Sequence, residues 1–195
     1  MHPVIVSFYT PDWQYPAHAE RLANECKALG LEYRIERRES TGSYLKNTCI
    51  KPTYIRECLN MGKPILWIDV DGSIYKRPDF FLEIDAEFAA RRMGPHRKRT
   101  WHVGTMYFTP TPAVIEFVDE WVRITGECSD ESALEQTLRS RKWWFRCSDI
   151  PPEYFEIQTA RKGRTDRTVI MHRLSNGESK RAEALFFDNY EKTVI

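Results

Sequence analysis

No arrangement of cysteines can organise this chain. Five are present, Cys26, Cys49, Cys58, Cys128 and Cys147. Their number is odd, their spacing is wide and none falls in a CxxC pair, so neither a disulfide framework nor a zinc site is expected. A reducing, cytoplasmic setting is the corresponding expectation. The chain also lacks an apolar run of membrane-spanning length, and "MHPVIVSFYTPDW" has neither a positive leader nor the apolar stretch of a signal peptide, so a soluble protein is expected. Charge of one sign is missing too. Lys and Arg number 29 against 28 Asp and Glu, which removes a global field as an argument for nucleic acid or membrane. No internal repeat or low-complexity segment is found.

What is there suits one compact unit. The 195 residues are 42% hydrophobic and 13% aromatic, enough for a single domain over residues 1–195 with a sizeable core, while two domains would be cramped. "VIVSFY", Val4 to Tyr9, is a short β-branched and aromatic run halted by Thr10-Pro11-Asp12, the pattern of a buried first strand. From Pro16, the stripe Ala19, Leu22, Ala23, Cys26 and Leu29 predicts a helix ended by Gly30. Tyr33 to Arg37 reads as a second strand. Strand, helix, strand favours a parallel α/β sheet.

"KPTYIRECLNMGKP" places Pro52 at a helix start and Gly62 with Pro64 at its stop. The strand Ile65 to Val70 follows, apolar on both faces at first, as expected of a central strand covered by helices. Thr105 to Phe108 is a further strand, then a helix capped by Thr111 with Pro112 first. "SDESALEQTLRS" reads as another helix start, with acidic residues where the dipole favours them. Thr168 to His172 is a late strand ending in a histidine.

The chemistry concentrates at "ILWIDVDGSIYKRPD", where Asp69 and Asp71 stand one residue apart at the carboxyl end of an apolar strand. Side chains alternate along a strand, so the two carboxylates share a face. Such a pair makes a hard oxygen site for a divalent cation, in the crevice where open α/β sheets bind ligands. The same residues also read as Asp-x-Asp-Gly-Ser, with Asp69 a phosphate-accepting nucleophile and Asp71 an acid/base. A solvated strand end is the third reading, disfavoured because charges beside a buried strand are costly unless paired.

Five segments in order, Lys51-Pro52, "ILWIDVDGSIYKRP", "HVGTMYF", "DESALEQTL" and "VIMHRLSNGESK", resemble nucleotide-diphospho-sugar glycosyltransferases of the GT-A fold, in particular the glycogenin and bacterial galactosyltransferase type. The resemblance covers nearly the whole chain. It implies an α/β, single-domain, Rossmann-like fold with a mostly parallel central sheet flanked by helices. It implies that Asp71 ligates a metal, that Asp69 ligates it or contacts the ribose, and that His172 is the third ligand. A nitrogen ligand beside two carboxylates shifts the expected cofactor toward Mn²⁺ over Mg²⁺.

By the same resemblance, Tyr9 stacks on the base, a uracil, and Thr10 hydrogen-bonds it. Lys51 faces the donor, where an unrelated helix-start lysine would be solvent exposed. Gly104 and Thr105 leave room beneath the sugar. "HRLSNGESK" keeps His172, Gly177 and Lys180 of the family's HxxGxxKPW, so Gly177 and Lys180 meet the diphosphate; it has two extra residues before the glycine, and Arg181-Ala182 stands for Pro-Trp. "DESALEQTL" resembles an Asp-Gln-x-x-Leu helix start with Glu131 in place of Gln. Asp130 or Glu131 then deprotonates the acceptor in an inverting reaction or orients it in a retaining one.

Two rival readings stay open at this level. A haloacid-dehalogenase-type phosphatase would use Asp69 as nucleophile, but that motif usually lies near the N-terminus, and the nearest later acidic pair, Asp188-Asn189, lacks strand context. A non-catalytic nucleotide-sugar or glycan-binding module would keep the fold without the chemistry. The basic clusters "RRMGPHRKRTWH", "RSRKWWFR" and "ARKGRTDR", two of them beside tryptophans, raise an anionic acceptor, a nucleic acid or a bacterial surface glycan.

Overall fold

The structure, a computed structural model, describes residues 2–92, 101–126, 129–158 and 164–173. Its centre is a six-stranded sheet in the order β2-β1-β3-β6-β5-β7, built from β1 (Val4–Tyr9), β2 (Tyr33–Arg37), β3 (Ile65–Ile68), β5 (Phe88–Arg92), β6 (Trp101–Phe108) and β7 (Cys147–Asp149). β1 pairs in parallel with β2 and β3, and β5 with β7; β6 is antiparallel to both β3 and β5. Five strands therefore share one direction and β6 alone opposes them. A second sheet, in the order β4-β9-β8, joins β4 (Ser73–Ile74), β9 (Ile170–Arg173) and β8 (Glu156–Gln158).

Period-two alternation divides the core. Val4, Val6, Ile65, Trp67, Met106 and Phe108 point into one apolar cluster, with Tyr54 and Ile55 of α3 (Ile50–Leu59) and Phe117 and Trp121 of α4 (Pro112–Ile124). Ile5, Leu66, Ile68 and Tyr107 point to the other, with Leu22 and Cys26 of α1 (Tyr15–Ala28) and Ile170 of β9. A central strand apolar on both faces is covered on both. Gly30 follows α1 at φ 64°, a conformation that costs glycine little. Thr111 caps α4, its hydroxyl accepting from the Val114 amide. Ser129 caps α5 (Asp130–Ser140) through the Ser132 amide, leaving Asp130 and Glu131 in the first turn.

Several boundaries differ from the sequence expectation. β3 stops at Ile68 rather than Val70, because after the Asp69 amide bonds Gly104 O at 2.8 Å the chain turns back, Gly72 N donating to Asp69 O at 2.7 Å. α3 starts at Ile50, so Pro52 is its third residue, and a short helix α2 (Tyr44–Thr48) precedes it. β6 begins at Trp101, four residues before the expected Thr105. β5, "FAARR", carries no alternation that marks a strand; pairing with β6 decides it.

Candidate active site

The site forms where β3 ends and the small sheet begins. β4 pairs with β9 so that Ser73 faces Met171, which sets His172 beside Gly72. One ligand atom each from Asp69, Asp71 and His172 lies within 4.8 Å of the others. Side chains 101 and 103 residues apart in the chain thus converge with the ordered pair.

Asp69 is held on two sides. Its Oδ1 accepts from the Trp67 indole Nε1 at 2.9 Å and meets the Lys51 ammonium, also at 2.9 Å. Lys51 also forms an ion pair with Asp130, Nζ to Oδ2 2.7 Å, and lies 5.3 Å from the Trp67 ring centroid. It is 5% exposed, which excludes the solvent-exposed reading of this residue. Burial opposes the lysine's charge, but Asp130 and Asp69 outweigh it and hold its pKa above the ordinary value. Partial burial likewise opposes ionisation of Asp69, yet the Lys51 ammonium keeps its carboxyl below the usual range. Asp69 is an anion at neutral pH.

His172 is buried, and burial drives its pKa down to about 3, against the pull of Asp69. A neutral imidazole is the form that ligates metals. Its Nε2 lies 2.7 Å from the buried Thr105 hydroxyl, which fixes the ring's orientation whichever nitrogen carries the proton. Two carboxylates and a neutral imidazole so close together fit a divalent cation of the Mn²⁺ or Zn²⁺ type better than an all-oxygen ion.

At Gly104 the space a side chain would take is occupied, among the described residues, by rings. A Cβ there would come within 3.0 Å of Phe155, 3.1 Å of His172 and 3.2 Å of His102. Phe155 packs tilted against both imidazoles, its ring centroid 4.2 Å from that of His102 and 4.8 Å from that of His172. Gly104 and Thr105 therefore bear on the site through His172.

Tyr9 and Thr10 stand at the carboxyl end of β1, Thr10 buried and Tyr9 half-buried. Asp130 begins α5, buried, with its carbonyl accepting from the Trp121 indole at 3.0 Å. Glu131 is half-buried next to it. Gly177 and Lys180 lie outside the described residues, as do residues 93–100 and 160–163 of the basic clusters and the Asp188-Asn189 pair. In the remaining cluster the arginines have acidic neighbours: Arg139 meets Glu135, Arg141 meets Glu116 at 2.7 Å and Arg146 meets Asp85 at 3.1 Å. Those pairs weaken the electrostatic case for an anionic acceptor.

Sequence reasoning missed four contributors. Trp67 shares a strand face with Asp69, and i, i+2 spacing was the signal. Tyr44 of α2 is half exposed, and desolvation of its hydroxyl, then the Asp69 charge, push its pKa up to about 12. His102 and Phe155 carried no local signal.

A profile of nucleotide-diphospho-sugar transferases matches residues 18–182. The chain belongs to that family. It is a glycosyltransferase of GT-A fold, and the phosphatase reading of Asp69 is thereby overturned. Among curated proteins none matches the chain. Among solved structures, this glycosyltransferase is similar to one involved in glycosylation of the major capsid of PBCV-1, at 12% identity and TM-score 0.68, covering 95% of this chain and 100% of that one. It is also similar to the glycosyltransferase GlyE of Streptococcus pneumoniae TIGR4, at 11% identity and TM-score 0.61, covering 90% of this chain and 56% of that one. A third likeness, at 11% identity and TM-score 0.53, is to the galactosyltransferase LgtC in complex with donor and acceptor sugar analogs, covering 88% and 87%. At such identities the likeness speaks for the fold alone. Among the described residues, no helix is long and apolar enough to cross a membrane.

Proposed function

We propose that this glycosyltransferase is metal-dependent and takes a UDP-sugar as donor in the cytoplasm, with Asp69, Asp71 and His172 holding the cation. The observation that carries the reading is the convergence of those three ligand atoms within 4.8 Å. A bound divalent ion supplies charge to stabilise the diphosphate as it departs. Mn²⁺ is preferred over Mg²⁺ because an imidazole completes the set.

The chain's own residues do the rest. Lys51, itself buried, keeps the half-buried Asp69 ionised, and Trp67 fixes the carboxylate's rotamer by bonding the same oxygen. Thr105 orients His172. Asp130, paired with Lys51, or Glu131 beside it takes a proton from an acceptor hydroxyl in an inverting course, or orients sugar and acceptor in a retaining one. Tyr9 and Thr10, at the exit of β1, receive the base, and Gly177 and Lys180 meet the diphosphate.

A thermal-shift screen of nucleotide sugars with and without Mn²⁺ tests this. Donor at about 100 times its Kd adds about 2.7 kcal/mol, a rise of roughly 5–10 °C at this chain length. If no donor stabilises the protein, or if Asp71→Ala responds as the wild type does, the reading fails. Binding without hydrolysis or transfer would instead make it a donor-binding module.

A further inference from the structure

Helix α1 turns a polar face toward the loop that carries the aspartates. His18, Arg21 and Glu25 fall at i, i+3 and i+7, one side of the helix, and none of them is exposed. Arg21 Nη2 donates to Gly72 O at 2.9 Å and Asp71 O at 3.0 Å, with Val70 O at 3.5 Å. Glu25 Oε2 accepts from the Ile74 amide at 2.8 Å, and its other oxygen lies 3.5 Å from Arg21 Nε. On the far side of the guanidinium, Nη1 is 2.9 Å from His18 Nδ1. Arginine only donates, so His18 accepts there and carries its proton on Nε2 when neutral.

These bonds fall where the central sheet has stopped holding the chain. The last bond to β6 is made by the Asp69 amide, and β4 begins at Ser73. Between them lies Asp71, whose carboxylate must stand near Asp69 and His172. A backbone displaced by a fraction of an ångström moves that carboxylate, and groups at such sites need placement within about 0.5 Å. The guanidinium supplies that placement from a rigid helix, through a charged donor shared by two successive carbonyls.

We propose that Arg21, braced by Glu25, is a positioning residue for the cation site: it holds the Asp71–Gly72 backbone so that the Asp71 carboxylate meets Asp69 and His172. The inference rests on the reading of those three residues as a metal site. Its rival is a tie between helix and loop that matters to stability only.

The test uses the full chain as wild type, Arg21→Ala, Arg21→Lys and Glu25→Ala. Mn²⁺ alone is titrated calorimetrically, amide exchange is followed at Gly72 and Ile74, and stability is measured in urea. Arg21→Ala weakens Mn²⁺ binding by about 10- to 100-fold, the range for groups that orient metal ligands, and speeds exchange at Gly72. Arg21→Lys, which keeps a charged donor, recovers part of both. Glu25→Ala speeds exchange at Ile74 and costs less Mn²⁺ affinity than Arg21→Ala. An Arg21→Ala protein that is less stable but binds Mn²⁺ as the wild type does overturns the inference and leaves the metal reading standing. Should Arg21→Ala not fold, wild-type Mn²⁺ affinity in both other variants overturns it equally. A wild type that takes up no Mn²⁺ marks failure of the metal reading; exchange at Gly72 that is faster in Arg21→Lys then upholds the loop-holding role, and unaltered exchange overturns it.

Discussion

Lys51 and Asp130 form a buried ion pair, Nζ to Oδ2 2.7 Å, with side chains 6% and 7% exposed. Lys51 lies in the first turn of α3 and Asp130 in the first turn of α5, so the pair ties two helices together beside Asp69. Truncating a buried partner leaves the other charge uncompensated, and Lys51→Ala strands two carboxylates. We expect a loss of about 3–5 kcal/mol in urea denaturation. Adding Asp130→Asn should recover part of that loss, and strictly additive effects of the two changes would show that the pair is not coupled.

Thr105→Val removes the hydroxyl 2.7 Å from His172 Nε2 while keeping the side-chain shape. Groups that orient a metal-ligating histidine are worth about 10- to 100-fold in metal affinity, so Mn²⁺ titration should show a loss in that range. Thr105→Ser, which restores the hydroxyl, should regain most of it. Equal Mn²⁺ affinity in Thr105→Val and wild type would remove Thr105 from the site.

Gly72 has no space for a side chain. A Cβ would stand 2.8 Å from Ile68 Cγ2, 3.0 Å from the Asp69 carbonyl and 3.2 Å from the His172 ring. The carbonyl is backbone of the loop that carries Asp69 and Asp71 and cannot swing aside. Gly72→Ala should cost about 1–3 kcal/mol, as overpacking does, and weaken Mn²⁺ binding together with stability. Calorimetry and thermal melts on the same preparation check both, and an unchanged melt would contradict the crowding.

Acid should destabilise the metal-free protein through His172. Its folded-state pKa is about 3 against an ordinary 6.5, so below 6.5 the unfolded chain binds a proton that the folded one refuses. Stability is then lost as pH falls from 6.5 toward 3, by up to about 1.4 kcal/mol per pH unit. Above 6.5 this contribution is constant. The lowered pKa of Asp69 acts in the same direction once pH falls below its ordinary 3.8. Urea melts at pH 7.5, 6.5, 5.5 and 4.5 should show the decline, with a shallower slope in His172→Gln. Equal slopes would refute the assignment.

Local rules reach far into this fold. The run Val4 to Tyr9 and the stripe through Leu22 and Cys26 mark a strand and a helix because each pattern reports which face is buried, and the structure has both. Thr111-Pro112 marks the start of α4, since a cap and a first-turn proline act within one turn. Asp69 and Asp71 were legible as a pair for the same reason. β5 was not legible: two alanines and two arginines have no period, and its identity comes from pairing with β6. Nor could Lys51 be told from a surface lysine, because both carboxylates that hold it arrive from other elements.

The amino-acid order thus settled what depends on near neighbours: the strands and helices with a clear period, the Thr111 cap, and two carboxylates at a strand's end. Folding settled what depends on distant ones. His172 joins the pair only because β9 pairs with β4, Gly104 admits rings that come from Phe155 and His172, and Arg21 reaches the loop across 50 residues of chain. The charge state and orientation of a buried group follow from the groups packed against it, and contacts of that range leave no period in the sequence to read.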